Sequence, residues 1–192
     1  MAARDKLLAS AIDLMRRNGI AGTGIAQLLD HSGISRRTVY LNFPGGKSEL
    51  VAEATRVAGE ATSALMRTFT AGADVASCIA AYPAMWREVM LASDFSAGCP
   101  ILAAALGRTE SPAAADAAAQ SFTDWEEILA ERLRAEHVEP ETARSLATTI
   151  IAAVEGAVVM SLAQRSAAPL ERTGKHVAEL VAQHTRKAPA ES

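Results

Sequence analysis

Cysteine is almost missing from this 192-residue chain: it has two, Cys78 and Cys99, at no zinc-like spacing. That excludes a disulfide framework and a thiolate metal site. Histidine is sparse too. His31, His137, His176 and His184 stand at no ligand spacing backed by carboxylates or thiols, so neither a metal nor a cofactor is expected. No Ser/His/Asp set and no paired carboxylates argue for an enzyme. A charged-then-apolar leader is lacking, which makes a reducing cytoplasm the expected location. The most apolar run, 146–163, is interrupted by Thr148, Thr149, Glu155 and Ser161. A buried helix of a soluble protein suits it better than a membrane span. β-Branched residues seldom alternate with polar ones, which disfavours strands. Large net charge is also absent, the total being −3.

What the chain has is alanine, leucine and helical spacing. Hydrophobic residues make up 49 % of it, enough to fill a real core. The periodicity predicts helices at about 4–18, a short one opened by Thr23 as its cap, and another opened by Ser35. A connector follows at 47–70, then helices at 74–93, 98–108, 112–137, 140–166 and 169–187. Pro100, Pro112, Pro140 and Pro169 fall near predicted starts, where proline is tolerated. Pro83 falls inside its helix and should kink or split it. Asp74 is placed to cap that helix, and the end, 187–192, should fray. On the connector, Leu50, Ala54, Val57, Ala61, Ala64 and Leu65 are the expected packing face.

Charge is unevenly spread. Residues 1–47 hold seven Lys or Arg against three Asp, a net +4, leaving 12 basic and 19 acidic residues, a net −7, downstream. A basic head on an acidic body suits a phosphate-facing module joined to a domain with another task. Within the head, 19–47 reads as two short helices around a sharp turn at Gly33, then the start of a third. That is the layout of a helix-turn-helix presenting a recognition helix to the major groove of double-stranded DNA. Arg36 and Arg37 lie in its first turn, where an arginine can bind guanine O6 and N7 in a pair worth roughly 1–3 kcal/mol of discrimination. Thr38 suits a thymine methyl or a phosphate. Tyr40 and Asn42 carry hydrogen-bonding tips for backbone oxygens, and Thr23 and Ser35 stand at helix N-termini that could face phosphate. Lys47 follows the Gly45-Gly46 turn at the start of the connector, where charge and helix dipole both favour a phosphate. Gly46-Lys47-Ser48 is not a nucleotide P-loop, because Leu41 stands where that motif needs glycine and no strand precedes it.

These residues carry a resemblance. Thr23, Ile25, Gly33, Ser35, Val39, Tyr40, Phe43 and Lys47 match, in order and spacing, the DNA-binding domain of the TetR family of transcriptional repressors. The run Asn42-Phe43-Pro44-Gly45-Gly46-Lys47-Ser48-Glu49-Leu50 is similar to the LmrA/YxaF-type subgroup, as is Gly98-Cys99-Pro100-Ile101. The chain departs from the family at Arg37, often glycine, and at Asn42, often histidine, so an operator sequence does not transfer. The resemblance implies an all-α homodimer with an N-terminal three-helix DNA-binding domain (1–46) and a C-terminal helical ligand-binding and dimerisation domain (47–192). Such a protein would bind a palindromic operator and leave it when a small-molecule inducer enters the body. The body could instead dock a protein partner.

For the ligand pocket, the candidates are the sparse large side chains Met85, Trp86, Met90, Phe95, Phe122, Trp125 and Met160, with Cys99 and Glu155. Each is equally suited to an ordinary core. Cys99, beside Gly98 and Pro100, is either a thiol sensor at a helix start or a small core residue. Glu155, an acid in an apolar run, either bridges helices or meets a polar group on a ligand. The helix at 140–166 is apolar on nearly all sides and should be buried on nearly all of them. Ile150, Val154 and Val158 from it, with Val177, Leu180 and Val181 from the last helix, are the expected dimer interface.

Overall fold

The computed structural model of the protein describes residues 2–72 and 75–185. The expectations for Asp74 and 187–192 lie outside the described residues. Among the described residues there are nine helices and no strand. They are α1 (Ala3–Asn18), α2 (Ile25–Ser32), α3 (Arg36–Asn42), α4 (Gly46–Thr70), α5 (Val75–Ala92), α6 (Pro100–Leu106), α7 (Pro112–Ala135), α8 (Pro140–Gln164) and α9 (Ala168–Thr185).

Local chemistry explains most boundaries. Gly19 ends α1 at φ 68°, a conformation that costs an L-side chain dearly. Ser35 caps α3, its Oγ accepting the Thr38 N–H, and the Glu139 carboxylate does the same for α8 through Thr142. Proline opens α6, α7 and α8, because a first-turn residue has no intrahelical use for its N–H. Pro83 does not split α5, which continues as one helix to Ala92. Its ring instead packs against α9 at Gly174, where an added Cβ would come within 3.0 Å of Pro83 Cγ.

The chain packs as two compact units, 1–62 with 96–122 and 63–95 with 123–192. These packing units are not the sequence segments 1–46 and 47–192. In the first, α1 packs on α2, α3 and α6, around fully buried Leu7, Met15, Ile20, Leu28, Phe43 and Leu50. The 98–101 motif belongs to this unit. The Gly98 N–H donates to the Arg16 carbonyl at 2.9 Å, and Arg16 Nε returns a bond to the Gly98 carbonyl at 3.1 Å. Ile101 is fully buried. In the second unit, α5, α8 and α9 pack on one another, around Ile79, Met90, Trp125, Leu133, Val154 and Val181. Helix α8 is long and apolar enough to cross a membrane by length and composition alone, yet half of its most apolar window is buried within the chain.

On α4 the buried stripe is Leu50, Val51, Ala54, Thr55, Ala58, Ser63 and Met66. Leu50 and Ala54 meet the expectation. Val57 is half-buried, and Ala61, Ala64 and Leu65 are exposed. Thr55 and Ser63 lie in the contact face and alanines occur on both sides of the helix, so apolar spacing alone does not single out the buried side.

Candidate nucleic-acid interface and helical body

Helix α2 ends at Gly33, whose φ of 65° and ψ of 19° are left-handed. Its N–H closes on the Leu29 carbonyl at 2.8 Å. A Cβ there would meet nothing within 4 Å, so glycine is required by the backbone angle and not by space. Two residues later Ser35 opens α3. Val39 and Phe43 are fully buried and fasten the inner side of α3, which packs on α1. The outer side is left to Arg36, Arg37, Tyr40 and Leu41.

Arg36 and Arg37 are exposed and make no hydrogen bond or ion pair with another described residue. Tyr40 is also exposed, and its ring edge lies 3.4 Å from where a Gly46 side chain would begin. Thr38 and Asn42 are half-buried and engaged on the helix itself: Thr38 Oγ1 meets Ser35 Oγ at 2.9 Å, and Asn42 donates from Nδ2 to the Thr38 carbonyl at 2.8 Å.

Three expectations at this site need correction. Thr23 does not cap α2. The cap position is Gly24, while Thr23 is buried and its hydroxyl donates to the Gly19 carbonyl at 2.7 Å. It locks the α1–α2 turn, and a buried, engaged hydroxyl is not presented to a phosphate. The N–H groups of the Gly-Gly turn are not open either. Gly45 donates to the Glu49 carboxylate at 2.7 Å, and Gly46 donates to the Phe43 carbonyl at 2.9 Å. Lys47 is half-buried, its Nζ donating to the Ile20 carbonyl at 2.7 Å. That bond ties the start of α4 to the α1–α2 turn and leaves two ammonium protons for another acceptor.

A charged brace holds α1 to α4. Arg4 Nη2 lies 2.7 Å from Glu53 Oε1, and Arg56 Nε lies 2.8 Å from Glu53 Oε2. Hydrogen bonds from Arg56 and then Arg4 pull the Glu53 carboxyl down from 4.5 to about 2. The same Arg4 guanidinium sits 5.2 Å above the Phe43 ring, at the end of α3, in cation–π contact. A second cluster joins α1 to α2: Asp13 meets Arg17 at 2.9 Å and His31 at 3.2 Å. Burial opposes its ionisation, but the two partners hold its carboxyl below the usual range.

In the body, Trp86, Met90, Trp125 and Glu155 are buried in the second unit, while Met85 and Phe95 are half-buried there. Tyr82 donates its hydroxyl to Glu155 Oε1 at 3.2 Å, so Glu155 bridges α5 and α8. The buried Trp86 Nε1 has no hydrogen-bond acceptor among the described residues. Cys99 and half-buried Phe122 belong to the first unit, and Cys99 Sγ accepts the Leu102 N–H as the cap of α6. Met160 is 49 % exposed. An apolar groove of about 320 Å³ lies between α5 and α9, lined by Ala80, Pro83, Ala84, Leu170, Gly174 and Ala178 among others; none of the expected pocket residues lines it. No three of His, Cys, Asp or Glu cluster as metal ligands among the described residues.

The expected dimer face also turns over. Ile150, Val154, Val158, Val177 and Val181 are buried within the chain itself, and only Leu180 is half-buried. The outer face of α8 instead shows Ala152, Gly156, Val159 and Met160, with open space over Gly156. Ile150, Ile151, Val154 and Val158 fill the core, while the outer face mixes small residues with Val159 and Met160. A helix apolar all round does not show in its sequence which side is which.

Comparison with known proteins adds the relationships. The family described as bacterial regulatory proteins, tetR family, matches residues 7–54. The family described as transcriptional regulator LmrA/YxaF-like, C-terminal domain, matches 75–176. The chain is 31 % identical over 185 residues to an uncharacterized HTH-type transcriptional regulator of Mycobacterium tuberculosis, covering 93 % of each. It is 27 % identical over 180 residues to the HTH-type transcriptional regulator LmrA of Bacillus subtilis, covering 93 % of this chain and 96 % of that one. Among solved structures, a TetR transcriptional regulator from Chloroflexus aurantiacus aligns with a TM-score of 0.79 at 26 % identity, covering 94 % of each chain. The regulatory protein TetR from Rhodobacter sphaeroides shares the fold at a TM-score of 0.85 and 14 % identity, covering 92 % of this chain and 97 % of that one.

Proposed function

The chain belongs to the TetR family of bacterial transcriptional regulators, with an LmrA/YxaF-like C-terminal domain, and from that premise we propose that it is a cytoplasmic homodimeric repressor of a palindromic operator, released by a small hydrophobic molecule. The observation that carries the DNA-reading part is the pair Arg36 and Arg37, exposed and uncommitted on a capped helix behind a left-handed glycine turn. A guanidinium without a protein partner is available for guanine edges or phosphates. Residues 1–46 are the DNA-facing part in this reading, and 47–192 the part that binds ligand and partner. Ser35, Thr38 and Asn42 set the shape of α3; Arg36, Arg37, Tyr40 and Lys47 meet the DNA.

A second copy of the chain covers the outer face of α8 at Ala152, Gly156, Val159 and Met160, with Leu180 on α9. Small residues let two such helices approach closely, and the symmetric pair holds two α3 helices about 34–36 Å apart, one turn of DNA. The released state is selected by a ligand in the second unit, near Trp86, Met90, Trp125 and Glu155. The partnerless Trp86 indole N–H supplies a donor for one polar group on an otherwise apolar molecule.

Binding of the full chain to DNA flanking its gene, followed by anisotropy, tests the reading. Arg36→Ala with Arg37→Ala should erase discrimination between specific and random DNA. Lys47→Ala should weaken both alike and reduce the salt slope by about one. Specific binding that survives all three changes would show the assigned DNA-reading residues to be wrong.

A further inference from the structure

Leu41 is 70 % exposed, on a helix of seven residues whose other outward side chains are polar or charged. The sequence pattern alone leaves it unremarked, since a single apolar residue at the end of a short helix reads as incidental. The structure narrows the choice. Of the side chains on α3, Val39 is core, and Thr38 and Asn42 are bonded to neighbours on the helix. The outward set is therefore Arg36, Arg37, Tyr40 and Leu41. Tyr40 leans on the Gly46 turn. Leu41 is four residues beyond Arg37, one helical turn away on the same side, so where the Arg37 guanidinium reaches a base edge, the Leu41 methyls accompany it.

An apolar side chain has one feature to read in the major groove, the C5-methyl of thymine. We infer that Leu41 is a specificity-determining residue that reads a thymine methyl in the operator, adjoining the base read by Arg37. The inference rests on the DNA-reading function proposed above and adds the chemistry of one base position to it. It also accounts for a cost. A leucine left in water on a soluble surface contributes nothing to folding, whereas its burial against a methyl in a closed groove is favourable. Removing one methyl group from that apolar pairing should lower affinity about fourfold, the value of one buried CH₂.

The experiment uses the full chain. A preferred duplex is first selected from random DNA. Each thymine in it is then replaced, one position at a time, by deoxyuridine, which removes the methyl and keeps O4. Wild-type protein should lose roughly threefold to tenfold at one position and at its symmetry mate. Leu41→Ala should bind the thymine duplex weaker by a similar factor and be indifferent to uridine there. Because Leu41 is on the surface, the variant's helical content and melting midpoint should equal those of wild type. Leu41→Gln should likewise lose the methyl effect while keeping the salt slope. Uridine effects that are absent everywhere, or that persist unchanged in Leu41→Ala, overturn the assignment. If wild type enriches no sequence at all, the DNA reading itself falls, and this inference with it.

Discussion

Glu53 shows what one side chain can hold in place. It accepts from Arg56 and Arg4, and Arg4 in turn covers Phe43 at the foot of α3. Its folded-state value of about 2 lies below its ordinary 4.5. The pairing therefore stabilises fully above about 4.5 and is lost as the pH falls through 2. Both arginines are about half exposed, so solvent screening limits the effect to ~1 kcal/mol or less. Glu53→Gln should melt lower than wild type at pH 7, and the two melting curves should converge on titration to pH 2. Curves that stay parallel through that range would show that the brace does not form in solution. Single residues were legible in the sequence where one atom decides the geometry. The Gly33 turn and the Ser35 cap announce themselves because few residues tolerate a positive φ or accept an N–H at an N-cap. Thr23 and Lys47 were not, because the partners that engage them, Gly19 and Ile20, are carbonyls that every residue carries.

Helices were legible as segments and illegible as faces. The proline starts and the extents of α1 and α8 follow from punctuation and periodicity. Which side of α4 or α8 is buried does not, because both helices are crowded with alanine. On α8, Ile150, Ile151, Val154 and Val158 close the core, and Ala152, Gly156, Val159 and Met160 are left outside. The proposed partner surface can be tested there without disturbing the fold. A side chain at 156 has no atom within 4 Å of its Cβ in the single chain, and removing a mid-helix glycine favours the helix by up to about 1 kcal/mol. Gly156→Arg should therefore keep full helicity yet sediment as a monomer, because a buried, unpaired guanidinium at the centre of a symmetric interface is costly. On the proposed reading of a palindromic operator, it should also lose tight operator binding. A dimer that tolerates this change would place the partner surface elsewhere on the chain.

At the scale of the whole molecule, the division of labour is written in the charge: +4 before residue 48 and −7 after it. The two packing units are nevertheless not separate in the chain. Helices α4 and α7 each begin in the first unit and end in the second. If a ligand and an operator each prefer a different arrangement, their effects must be reciprocal. A molecule that weakens operator affinity tenfold must itself bind tenfold weaker to the operator-bound protein, a coupling of about 1.4 kcal/mol. The measurement is one ligand titrated into the full chain with and without saturating operator duplex, beside the operator titrated with and without ligand. Trp86→Phe, which keeps an aromatic ring in the core and removes the partnerless N–H, should weaken the ligand and leave operator affinity without ligand unchanged. Linkage makes the two factors equal; a factor well above one, together with that separation, supports release by a two-state shift. A ligand that binds tightly yet leaves operator affinity unchanged would rule that mechanism out for that ligand, since a ligand with equal affinity for both arrangements shifts nothing.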